Sequence, residues 1–237
     1  MPGGPARKKD EARVRYLGMG VYEIPEAARL TGLSPARLRR WFGGHRSEPL
    51  WQPDLPRVGG RIGLSFLDLV QTHVAAELVR HGLPVRTLRR LLEKAKRVLK
   101  TEHPFASARF RTDGKRLYLE ILEEEPQLLD LGRDQFAFHR VVAPTLKPLE
   151  YDTHEMASRW WPLGRNRSVV LDPHRRFGKP ITAKSGVPTE VLFQQYKVMN
   201  SVEKVAEAFE IDEREVRDAL EFERRLEDRA RRHQRAA

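Results

Sequence analysis

The stretch Ile24 to Phe42, IPEAARLTGLSPARLRRWF, constrains this chain more than any other. Ala28 is small where two helices must cross closely. Gly32 follows where the chain must turn out of the first helix, and Leu38 supplies an apolar anchor for the second. Ser34 is an N-cap, and Pro35 stands at the first helical position, where a missing N–H costs nothing. Arg37, Arg39 and Arg40 then project from the second helix. The spacing predicts a helix-turn-helix with a basic second helix, the shape that places a helix in a DNA major groove. A plain helical hairpin with a solvated arginine face is the alternative.

Charge sharpens the choice. The chain has 237 residues and a formal net charge of +11. Residues 1–100 carry 20 Lys and Arg against 9 Asp and Glu, whereas residues 101–237 carry 24 of each. The whole excess therefore lies in the half that holds the helix-turn-helix, as a polyphosphate partner requires. A general arginine bias would not confine it there. With 40% hydrophobic residues the chain can build a real core. No run approaches the about 20 apolar residues of a membrane span, and the N-terminus has no apolar signal region. The chain has no cysteine, which fits a cytoplasmic protein.

Downstream of the second helix, Gly43-Gly44 is a stop signal, and Pro49, Pro53 and Pro56 exclude a helix. Val58-Gly59-Gly60-Arg61-Ile62 reads as a tight hairpin. In this position it is a wing, with Arg57 and Arg61 flanking its tip, or else a connecting loop. Ser65 caps a helix with Phe66, Val70, Val74 and Leu78 on one face and Asp68 in its first turn; Gly82 closes it. Pro84 opens another, with Val85, Leu88, Leu92, Ala95 and Leu99 as its apolar stripe. With these residues in place, 22–99 resemble the DNA-binding domain of MerR-type regulators, and Leu38-Arg39 and Trp41 match that family's recognition helix. The resemblance implies a winged helix-turn-helix. DNA contacts are then expected from Ser34, Arg37, Arg39, Arg40, Trp41, His45, Arg46, Arg57 and Arg61.

The rest of the chain is less regular. Residues 105–122 alternate around Asp113-Gly114 and predict a β-hairpin; Gly132 to Pro148 predicts one helix, interrupted at Pro144. Residues 150–180 read as irregular, with Trp160-Trp161 and a strand-like Ser168–Leu171. The two tryptophans are either core plugs or an effector site. Residues 188–229 read as three helices, with caps at Ser201 and Asp212 and with Glu210 where a turn glycine is usual, which predicts a looser turn. Asp212, Glu213, Glu215, Asp218, Glu221 and Glu223 open the last helix. Carboxylates there would repel phosphate, so this unit suits a homodimer contact better than a second groove reader. Contact with DNA through helix N-termini and the basic stretch 224–235 is the alternative.

Leu171-Asp172-Pro173, Phe177-Gly178-Lys179-Pro180-Ile181 and Gly186-Val187-Pro188-Thr189 resemble the signature of a small helical family whose members are often VapB-type antitoxins. That resemblance implies a PIN-type ribonuclease toxin as partner. The expected fold is mainly α with small β-hairpins. Its expected parts are a basic flexible arm at 1–19, the winged helix-turn-helix at 20–100 and a hairpin plus helix at 101–150. An irregular connector at 151–187 and a helical dimerisation unit at 188–237 complete it.

No catalytic signature, metal spacing or cofactor fingerprint stands out; His73 and Glu77 read as surface packing. The chain is thus expected to be a dimeric repressor of its own operon, bound to an inverted repeat of double-stranded DNA. The rival expectations are a protein that chiefly masks a toxin, and a non-specific nucleic-acid binder.

Overall fold

The computed structural model describes residues 18–43, 48–124 and 135–235. The expected N-terminal arm and the site residues His45 and Arg46 lie outside them. The chain is mainly α with two small antiparallel sheets. Strand β1 (Tyr22–Glu23) leads into α1 (Ile24–Thr31) and α2 (Pro35–Gly43). Strand β2 (Gly63–Leu64) pairs with β1 and precedes α3 (Phe66–Arg80) and α4 (Val85–Leu99).

The capping chemistry read from the sequence is present. Gly32 takes the left-handed conformation (φ 71°) that ends α1, and its N–H donates to the Ala28 carbonyl. Ser34 Oγ accepts the Arg37 N–H, and Ser65 with Asp68 forms a complete capping box on α3. Helix α3 is buried almost all round and is the centre of the main core. On α4, Leu88, Leu91, Leu92, Ala95 and Leu99 face that core, whereas Val85, expected in the stripe, is 42% exposed.

Residues 108–124 form helix α5 (Ala108–Glu124) and not a hairpin. The buried set is Phe110, Gly114, Leu117, Tyr118 and Ile121, which is a helical stripe. Asp113-Gly114 makes no turn because tertiary contacts override it: Gly114 lies against the Phe110 ring, and Lys94 on α4 pairs with Glu120 and Glu124. Helix α6 (Gln135–Leu146) follows, with Pro144 inside it.

The segment expected to be an irregular connector carries a four-stranded antiparallel meander. Its strands are β3 (Leu149–Tyr151), β4 (Ala157–Trp160), β5 (Val169–Leu171) and β6 (Pro180–Thr182). The strands are only three or four residues long, too short for alternation to stand out in the sequence. Trp160 is 3% exposed and plugs the core, and the Trp161 indole donates to Glu150.

Helices α7 (Thr189–Met199), α8 (Val202–Phe209) and α9 (Glu213–Arg235) surround a second, smaller core of Leu192, Phe193, Val205, Val216 and Leu220. Ser201 caps α8 as expected. Glu210 does not loosen the turn: it adopts the left-handed conformation itself (φ 54°), and the Ile211 N–H reaches the Ala206 carbonyl. Among the described residues no helix is long and apolar enough to cross a membrane.

The acidic start of α9 has a structural use. Glu215, Asp218 and Glu223 are each 3% exposed. Asp218 accepts from the Arg167 guanidinium and the Ser168 N–H, Glu215 from the N–H groups of Lys184 and Ser185, and Glu223 from Arg29 and Thr189. These carboxylates clip the sheet and α1 to α9.

His73 and Glu77 are likewise not surface groups. His73 is 9% exposed and its ring lies 4.4 Å from that of Trp160. Burial pulls its pKa down to about 4; Glu77 opposes the shift, and Arg229 and Arg80 reinforce it. The imidazole is therefore folded in as the neutral form, while the unfolded chain protonates near 6.5. Stability from this group is complete above 6.5 and is lost as pH falls toward 4. Between pH 7.5 and pH 5 the loss is expected to be about 2 kcal/mol, and His73→Gln should remove it. Urea unfolding of both proteins at the two pH values checks this. An identical pH dependence in parent and variant would contradict the neutral buried imidazole.

Candidate nucleic-acid interface

Helix α2 sorts its residues cleanly. Leu38, Trp41 and Phe42 turn inward at 0%, 3% and 2% exposure, while Arg37, Arg39 and Arg40 are exposed. Trp41 thus packs behind the helix, its ring facing Trp51 at 6.2 Å; Trp51 also meets Phe42 edge-on at 5.0 Å. The indole is not placed to enter a groove. Ser34 lies at the N-terminus of α2 with its hydroxyl engaged in the cap.

Residues 57–62 form the expected tight hairpin. Val58 and Arg61 bridge, and Gly59 and Gly60 both have positive φ (58° and 75°), the pairing that a two-residue type I′ turn demands. Both flanking arginines are exposed. The Arg57 guanidinium also donates to the Phe42 carbonyl (3.4 Å), tying the hairpin to the end of α2, and Arg61 lies 3.6 Å from Glu23 on β1. A groove of about 430 Å³ runs between α2, the start of α1 and the hairpin, with Arg39, Arg57 and Arg61 on its walls. The basic residues of the two elements therefore face one space, with Glu23 as the carboxylate on its edge.

A polar cluster that the sequence did not reveal fixes the root of the hairpin. Asp68, fully buried, accepts from Trp51 Nε1, from the Asp54 N–H and from the Ser65 N–H. Asp54 accepts from the Ser65 hydroxyl (2.6 Å) and lies 2.9 Å from His103 Nε2. Burial raises the Asp68 carboxyl, and the neighbouring Asp54 adds to that. Burial also pushes Asp54 up, but its bonds to His103 and Ser65 outweigh this and hold it low. One oxygen from each carboxylate and a His103 nitrogen lie within 4.8 Å of one another, close enough for a cation. The Asp68 oxygens, however, are already committed to three N–H donors, and the cluster acts as a brace. His103 is 49 residues from Asp54, so no local pattern joins them.

From below, the first helix is held by the distant C-terminal helix. Arg29 pairs with Glu223 (2.9 Å), Arg229 donates to the Leu30 carbonyl (3.0 Å), and Arg80 donates to that of Thr31 (3.3 Å). The end of α1, where the chain turns into α2, is thus set by α3 and α9 together.

The geometry is that of a helix–turn–helix followed by a two-residue hairpin, on an α+β framework. No protein-family model matches the chain. It is 24% identical over 224 residues to the Mycobacterium tuberculosis protein named "Putative antitoxin VapB45", covering 85% of this chain and 92% of that protein. A crystal structure of Rv2018 from the same organism superposes with a TM-score of 0.69, at 24% identity, over 84% of this chain and 96% of that one. That likeness carries the fold.

Proposed function

We propose that this chain is a DNA-binding regulator of transcription, the antitoxin of a toxin–antitoxin operon that represses its own promoter as a dimer. The observation that carries the reading is the row of exposed guanidinium groups on α2, beside the arginines of the hairpin and around one groove. In this reading residues 20–100 are a MerR-like DNA-binding domain. Arg37 and Arg40 read bases or phosphates, Arg39 clamps a phosphate, and Arg57 and Arg61 steady the wing. Two copies take the two halves of an inverted repeat.

The toxin enters through the relative named as an antitoxin. A ribonuclease of the PIN type, encoded beside this gene, is the expected partner. The C-terminal unit, residues 188–237, supplies the dimer contact. Its support is apolar surface left open there, with Val191 40% and Val198 80% exposed. Masking of the toxin and repression are compatible tasks of one chain. Segment 150–187 cannot be tested for toxin binding by deletion, because Trp160, Val169 and Leu171 belong to the main core; surface substitutions must serve.

The reading is tested by anisotropy on the gene's upstream duplex and on scrambled duplexes. Arg37→Ala is expected to cost about 1–3 kcal/mol on the operator and to relax specificity. Arg39→Ala should weaken all duplexes alike and lower the salt slope by about one. Unchanged binding by both variants would remove α2 from the interface.

A further inference from the structure

The turn that follows β5, residues 172–179, has a shape that the packing of the chain does not call for. Arg176, Phe177 and Gly178 stand in succession at φ 49°, 56° and 82°. Left-handed backbone is disfavoured for any residue with a Cβ, and a bulky one there needs a reason. The Phe177 ring gains no burial in exchange: it is 65% exposed, the one phenylalanine or tryptophan so open among the described residues.

The backbone that presents this ring is fixed from several sides. The Phe177 carbonyl accepts the Val21 N–H (3.0 Å), and the Gly178 carbonyl accepts the Tyr22 hydroxyl (2.6 Å). The Gly178 N–H donates to the Arg175 carbonyl, and the Arg175 guanidinium donates to that of Ala183 (2.7 Å). A rigid, left-handed turn keeps an apolar ring pointing into water, where a flexible one would let it fold back.

Its surroundings are cationic. His174, Arg176 and Lys179 are all exposed. Among the described residues Arg176 and Lys179 make no ion pair; Lys179 is felt by Glu26 at longer range, and His174 has only Asp172 at 3.6 Å. The turn docks on β1, whose next residue, Glu23, meets the hairpin arginine Arg61. It therefore extends the same edge of the molecule that carries the hairpin and the start of α1.

We propose that this turn is a second DNA contact. Phe177 enters the minor groove as an apolar wedge at a base step beside the major groove taken by α2, and His174, Arg176 and Lys179 hold the flanking phosphates. This inference rests on the DNA-binding reading. An open aromatic ring among cations without acidic partners matches what a kinked duplex offers, an unstacked base step bordered by phosphates. Flexible pyrimidine–purine steps would be preferred.

The experiment uses the full chain and its upstream duplex labelled at both ends for energy transfer, with Phe177→Gly as the variant. Glycine suits the left-handed position, so the melting temperature should hold or rise. Affinity should fall about tenfold and the bend should be lost, whereas Arg37/Arg39/Arg40→Ala should lose operator binding altogether. Unchanged affinity and bend in Phe177→Gly would overturn the wedge while leaving the α2 reading intact. So would a lower melting temperature with unchanged binding, which would make the ring structural. Loss of co-purification with the neighbouring nuclease, with DNA binding unchanged, would assign the turn to a protein partner and also overturn it. Failure of the parent chain to bind the operator would sink both readings together.

Discussion

Gly178→Ala is expected to lower the stability of the fold by about 3 kcal/mol, a large effect for one methyl group. Two costs add. The position has φ 82°, where a Cβ is disfavoured. The new Cβ would also press into the Tyr22 hydroxyl, and Tyr22 is fully buried, so its ring cannot swing away. Relief would come only by opening the bond from that hydroxyl to the Gly178 carbonyl, which would loosen β1 and the start of α1. Tyr22→Phe alone should cost about 1–2 kcal/mol, since it leaves a buried carbonyl unpaired. The double variant should cost less than the sum of the two, because removing the hydroxyl makes room for the methyl. Urea unfolding of the three proteins checks this. A neutral Gly178→Ala would mean that the turn does not hold the N-terminal elements in place.

Tyr22 and Gly178 also show where the sequence stopped being legible. They are 156 residues apart, and neither has a partner in its own neighbourhood. What could be read was local. Ser34, Gly32, Leu38 and the Ser65–Asp68 box each act within one helical turn, and each is where its spacing placed it. The Gly59-Gly60 turn is equally local and equally legible.

Misreading began where tertiary contacts decided. Asp113-Gly114 has the chemistry of a hairpin turn, yet Lys94 from α4 and the Phe110 ring make that segment a helix. The strands of the meander are too short to announce themselves. The carboxylates on α9 looked like a repulsive outer face; instead Asp218 and Glu215 cap backbone N–H groups of the sheet loops, a use visible only once those loops are in place. At the candidate interface the arginines were legible because charge on a short helix must face water. The Asp54–Asp68–His103 brace beneath them was not, since it joins three separate elements.

The second large effect concerns those arginines. Replacing Arg37, Arg39 and Arg40 together by alanine leaves Leu38, Trp41 and Phe42 untouched, so α2 should keep its packing and the melting temperature should stay within a few degrees. Three exposed guanidinium groups per protomer would be gone. With each contact contributing about 1–3 kcal/mol, operator affinity is expected to fall by at least about a thousandfold, and the salt slope of binding should flatten by up to about three per protomer.

The most direct test of the DNA reading is therefore anisotropy of the purified chain on its own upstream duplex, in excess competitor DNA and across a salt series, beside that triple variant. Binding that survives competitor and vanishes in a variant of unchanged melting temperature is the predicted result. Binding erased by competitor, or retained by the variant, would contradict it and leave the exposed arginines of α2 without a specific operator to read.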